Sequence, residues 1–147
     1  MGINDASAID NREANWFEVE PGLRFQVLAS NAQTNGAYAC LESVAHKGVG
    51  SPLHIHHRED EYFLILEGTV HIVFGDSRLD LNAGETIMMP RGIPHAWVNR
   101  SDTPLRALVV FTPGGFDQLC IEMATPGLVD PSKLRERYGL EAIGPKL

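Results

Sequence analysis

The chain has 147 residues, enough for one domain with a real core, and its 44% apolar and 21% charged residues are ordinary for a soluble globular protein. A formal net charge of −7 argues against a nucleic-acid or anionic-membrane surface, since both need clustered Lys and Arg. No apolar run is long enough for a spanning helix, the N-terminal "MGINDASAIDNREANW" lacks a signal-peptide layout, and Cys40 and Cys120 are too few for a disulfide scaffold; a cytoplasmic protein with no nucleic-acid and no membrane partner is expected.

In chain order, a polar segment over 1–21 precedes a series of short β-branched and aromatic runs. Strands are predicted near 23–29, 37–44, 53–56, 61–67, 69–75, 78–82, 85–90, 94–99 and 105–112. The stretches between them, "EG", "GDS", "NAG", "RGIP" and "NRSDTP", carry turn chemistry. Strands this short and evenly spaced over 22–113 predict an all-β antiparallel sandwich or barrel. The period then changes. Phe116, Leu119, Cys120 and Met123 fall at i, i+3, i+4 and i+7, one apolar helix face that should pack on the barrel. A second helix is predicted to start at Asp130 with Pro131 in its first position and to stop at Gly139, so 114–147 reads as a helical appendage. Barrel edges, with strand 23–29 unpaired, predict a homodimer.

The run "HIHHREDE", 54–61, holds three histidines and three acids. Residues two apart on a strand share a face, so His54 and His56 project together while Ile55 and His57 project oppositely. If the chain bends at "REDE", Glu61 returns to the same interior, followed by Phe63 and Ile65. Glu59 and Asp60 are close rivals to Glu61, because a bulge would break the parity, and His57 competes with His56. Buried imidazoles and a carboxylate meeting at one point make sense chiefly as metal ligands, because a cation turns their desolvation penalty into binding. A fourth ligand must come from elsewhere, and His95, opening a strand after the Pro-Gly turn of "MPRGIPHAWVN", is the candidate. Trp97 shares its parity and is a wall of the interior, as core or as pocket. Met88 and Met89 are adjacent, so one faces inward, and alternation does not say which. His46 and His71 read as structural, and Cys40 as a buried small hydrophobe.

Gly48, five residues, His54, one, His56, four, Glu61, six and Gly68 resembles the first cupin motif at each fixed position. Gly84, five residues, Pro90, one, Gly92, two, His95, three and Asn99 likewise resembles the second. The motif spacing favours Glu61 over its rivals. The resemblance implies a cupin jelly roll (double-stranded β-helix) over 22–113 with short C-terminal helices. It implies one divalent transition metal (Fe, Mn, Ni, Co, Cu or Zn) held by His54, His56, Glu61 and His95. It also implies turn-forming glycines and Pro90, and a structural Asn99. The tail "TPGGFDQLCIEMA…DPSKLRERYGLEAIGPKL" is similar to that of bacterial quercetin-dioxygenase-like cupins.

Three imidazoles and one carboxylate leave a divalent ion near +1 with open positions, whereas a structural zinc site is closed. The expected function is a metal-dependent dioxygenase acting on a small flavonol-like, enol or diketone molecule that chelates the metal. Glu61 would be the catalytic base, and Phe63 and Trp97 the apolar pocket walls. A non-catalytic binding or sensing module is the alternative. A sugar or keto-acid isomerase or lyase is another, which would need cations such as Arg24, Arg91 or Arg106 in the pocket.

Overall fold

The structure, a computed structural model, describes residues 15–127 and 130–147. Eleven strands run in chain order: β1 Trp16–Glu20, β2 Leu23–Ala29, β3 Ala39–Ala45, β4 Pro52–His56, β5 Asp60–Glu67, β6 Thr69–Phe74, β7 Ser77–Asn82, β8 Thr86–Met89, β9 His95–Val98, β10 Leu105–Thr112 and β11 Leu140–Lys146. Helices α1 (Phe116–Met123) and α2 (Pro131–Arg137) lie between the last two strands. The strands form two antiparallel sheets, ordered β1-β2-β3-β10-β5-β8 and β11-β4-β9-β6-β7. This is the jelly-roll barrel, an all-β fold.

Alternation builds the interior. Along β5, Glu61, Phe63 and Ile65 turn inward; along β10, Leu105, Ala107, Val109 and Phe111 do so. They meet Val70, Ile72 and Leu81 of the opposite sheet in one apolar cluster. Met89 joins it, while Met88 is 49% exposed. Gly68 makes the junction of β5 and β6 with a φ of 81°, and a Cβ there would stand 2.8 Å from the Pro104 carbonyl oxygen. At Gly50, just before β4, a Cβ would overlap the Trp97 carbonyl, so β4 and β9 approach this closely only with glycine at that position.

The structure differs from the sequence expectation at both ends. Of the polar segment 1–21, residues 1–14 lie outside the described residues, and 16–20 form β1. Strand β2 is therefore paired on both sides, with β1 and β3, and offers no open edge to a second subunit. The tail is not wholly helical: β11 pairs with β4, Leu140 opposite His56 and Ala142 opposite His54. Its Gly144 and Pro145 argue against a strand, but β11 is an edge strand whose register shifts between Ala142 and Lys146, where proline is tolerated. Both helices occupy their expected spans. Asp130 caps α2, its carboxylate accepting from the Ser132 amide at 2.8 Å.

Asn99 is fully buried after β9. Its side-chain amide donates to the carbonyls of Ala45 and Thr103 at 3.0 and 2.9 Å, and its oxygen accepts from the Ser101 amide and hydroxyl at 2.9 and 2.8 Å. It ties the end of β3 to the turn before β10. Asn99→Ala should lower unfolding free energy by about 2–3 kcal/mol, because it leaves buried carbonyls unpartnered. Urea denaturation checks this, and a loss under about 0.5 kcal/mol would contradict the role.

Candidate metal centre

His54 and His56 come from β4, His95 from β9 directly opposite His54, and Glu61 from β5 of the other sheet. All four are buried, and their donor atoms lie within 4.8 Å of one another. His54 Nδ1 lies 2.7 Å from the Pro52 carbonyl oxygen and His95 Nδ1 3.2 Å from that of Ile93. A carbonyl only accepts, so both Nδ1 atoms carry a proton; in the neutral rings both Nε2 lone pairs then face inward, and a second proton on His95 Nε2 is donated to Glu61. His54 Nε2 is 3.1 Å from His56 Nε2, and Glu61 Oε2 is 3.0 Å from Nε2 of both His56 and His95.

Lone pairs and a carboxylate oxygen held this close repel unless a cation joins them. Separations of 3.0–3.1 Å suit neighbouring ligands of one ion, because donors about 2.1 Å from a metal and at right angles are about 3.0 Å apart. The donor set fits one divalent transition metal, and its nitrogen and oxygen atoms suit Fe, Mn, Ni, Co, Cu and Zn alike.

Not every side chain of "HIHHREDE" lies where strand parity puts it. His57 is outward, 2.6 Å from the Glu141 carboxylate, and Asp60 grips Arg91 through its guanidinium and backbone amide. Glu59, the rival of Glu61, is buried but is not one of the four clustered donors. Residues 57–59 form a bend between strands, where period-2 alternation no longer applies. Glu59 Oε2 and His56 Nδ1 are both buried with no hydrogen-bond partner among the described residues. Burial raises the Glu59 carboxyl above its usual range, against the pull of His56.

Beside the donors opens a cavity of about 280 Å³. Phe63 and Trp97 line it, as do Phe111 of β10 and Phe116, Cys120 and Met123 of α1. The apolar stripe of α1 is thus a wall of the chamber as well as a packing face. Burial, with Asp117 and Glu61 nearby, pushes the Cys120 thiol up, so it presents a neutral S–H. Cys40 is only half-buried, and His71 pairs with Asp80 at 2.7 Å. Arg24 stacks over Trp16, Arg91 binds Asp60 and Arg106 binds Glu42 and Glu67, and none of the three lines the cavity. The cations that do line it, Arg135 and Lys146, belong to the tail whose strand escaped the sequence pattern.

Burial, reinforced by His95 and His56, lowers the His54 ring to about 4. Burial also opposes charge on His95, but its bond to Glu61 outweighs that and raises the ring above its ordinary value. Burial pushes the Glu61 carboxyl up, and the charges and hydrogen bonds of His56 and His95 more than reverse this, holding it well below the usual carboxylate range. As pH falls, protons therefore compete for His95 before His54. Metal content should be full at pH 8 and fall below about pH 6. Elemental analysis after dialysis checks this, and a content flat from about pH 8 to 4.5 would contradict the three-histidine site. His95→Ala should weaken metal binding more than about 100-fold while circular dichroism stays that of the barrel. Full retention of metal by that variant would remove His95 from the ligand set.

A sequence model described as Cupin domain matches residues 40–111. Mannose-1-phosphate guanylyltransferase 2 of Escherichia coli O157:H7 is 29% identical over 73 residues, which make up 50% of this chain and 15% of that protein. The chain therefore spans a small part of the length of this curated relative. The structure of KdgF from Halomonas sp. superposes with a TM-score of 0.68 at 20% identity, covering 78% of this chain and 99% of that one. An oxalate oxidase structure superposes at 0.53 with 26% identity, covering 63% of this chain and 53% of the other. Two antiparallel sheets, the two spaced motifs and these matches lead to one assignment: the chain belongs to the cupin superfamily.

Proposed function

We propose that the protein is a metal-dependent dioxygenase acting on a compact enol or 1,3-diketone that chelates the metal through oxygen. The observation that carries this reading is a cluster of four inward donors, three of which, His54, His56 and Glu61, line the wall of an apolar cavity. Likeness to the structure of an oxalate oxidase adds support for oxidative chemistry. A flavonol belongs to the same chemical class, but a cavity of about 280 Å³ is at the bottom of the range for small-molecule pockets, about 300–1,000 Å³, and suits smaller molecules.

When bound, a divalent metal supplies Lewis-acid polarisation and redox chemistry at exchangeable positions. The protein's own groups do the rest. Phe63, Phe111 and Trp97 enclose the substrate's apolar body and exclude water, which strengthens the charge interactions within. Glu61 takes the acidic enol proton. Its Oε2 is shared by the Nε2 atoms of His56 and His95, which leaves Oε1 as the oxygen to take that proton. The Nδ1 bonds of His54 and His95 to backbone carbonyls keep both rings in the orientation the ligands need throughout.

Oxygen uptake by the Fe, Mn, Co, Ni and Cu forms should accompany loss of 2,4-pentanedione or quercetin in air and cease under nitrogen, with the diketone consumed faster. Absence of oxygen uptake in every form would overturn the dioxygenase reading. Recovery of an unchanged ligand that raises the melting temperature would point instead to a binding module.

A further inference from the structure

Apart from the metal donors, three charged residues line the cavity: Glu20 of β1, Arg135 of α2 and Lys146 of β11. Lys146 is spoken for, its Nζ lying 2.9 and 2.7 Å from the two carboxylate oxygens of Glu20. Arg135 is different. Its guanidinium has no carboxylate or carbonyl partner among the described residues, although its side chain is half-buried. Neighbouring arginines are engaged: Arg58 donates to the Arg137 carbonyl at 2.6 Å, and Arg137 reaches Glu122 at 3.4 Å. Arg135 also lines the shallow surface groove outside, with His57, Glu136 and Glu141, so it stands where the chamber meets solvent.

We propose that Arg135 binds a carboxylate of the ligand, so that the substrate class is a compact molecule with chelating oxygens at one end, an apolar body and a carboxylate at the other. The proposal rests on the metal reading above. Guanidinium is weakly hydrated, permanently charged and shaped to grip a carboxylate through two parallel N–H donors. In a chain of net charge −7, anions are repelled at long range, so a local unpaired cation at the entrance is the feature that selects one. The walls between the two poles are apolar and offer a polyhydroxylated ligand few partners.

The placement of α2 supports a two-pole ligand. Buried Leu134 fixes the helix, and β11 follows directly, where Leu140 and Ala142 line the cavity and pair with the ligand residues His56 and His54. Arg135 thus lies on the side of the chamber built on the metal-bearing strand. A molecule held at both ends spans from the donors, along Leu140 and Ala142, to the guanidinium.

The test uses the full chain loaded with zinc, which is redox-inert, so binding is read without turnover. The probes are the monohydroxamates of succinic, adipic and suberic acid, each compared with its methyl ester by calorimetric titration. The hydroxamate end chelates the metal, and chain length searches for the distance to Arg135. At least one free acid should bind about tenfold more tightly than its ester. Arg135→Gln should abolish that preference and leave ester affinity unchanged, and Arg135→Glu should reverse it. Equal binding of acids and esters by the zinc-loaded chain, or a preference that survives Arg135→Gln, overturns the role of Arg135 and leaves the metal reading standing. Failure of the chain to take up zinc at all overturns both. Unchanged urea midpoints for the two variants show that any lost preference comes from the lost guanidinium and not from unfolding.

Discussion

The structure depends on one electrostatic constraint: imidazole lone pairs and a carboxylate are forced together inside a protein, where water cannot separate them. Two backbone carbonyls, those of Pro52 and Ile93, accept from the outer N–H groups of His54 and His95 and so turn both Nε2 atoms inward. The donors arrive from both layers, Glu61 from the sheet of β5 and the histidines from the sheet of β4 and β9. A cation placed among them is consequently also a cross-link between the sheets. Folding and metal binding are linked through that one point, since a ligand of the folded state alone stabilises it by mass action.

Around this point the barrel supplies rigidity through backbone geometry more than through side-chain size. Asn99 knits the ends of β3 and β9 to the following turn with four hydrogen bonds, and Gly50 lets the start of β4 lie against the Trp97 carbonyl. The motif residues outside the donor set thus hold the donors in place. The chemistry of the chamber comes from a third group, the aromatic and apolar walls of β5, β10 and α1.

The sequence carried much of this, for identifiable reasons. His54 and His56 share a strand face by simple parity, an all-β sandwich or barrel follows from short strands punctuated by turn residues, and the cupin motifs narrow it to a jelly roll. Parity fails where regular structure fails. Glu59 sits in the bend at 57–59 and turns inward, and only the motif spacing favours Glu61 over it. Met89 and not Met88 faces the core because β8 pairs Glu61 with Met89, a register that no local pattern encodes. Strand β11 was hidden by Gly144 and Pro145, tolerated because it lies at an edge. With β11 hidden, nothing in the sequence linked Arg135 or Lys146 to the cavity, because Lys146 lies on the strand that pairs with β4 across more than 80 residues and Arg135 on the helix that leads into it.

The contact between Glu20 and Lys146 joins residues 126 positions apart and bridges the outermost strand of one sheet to that of the other. As a partly exposed ion pair it adds little to stability. Its consequence is architectural. The metal donors are gathered from 42 contiguous residues, 54–95, whereas the entrance of the chamber is assembled from the first and last strands described. The proposed metal donors and the proposed ligand contacts of Arg135 therefore lie in separate parts of the chain, so substitutions in β1, α2 and β11 alter the entrance without touching a donor.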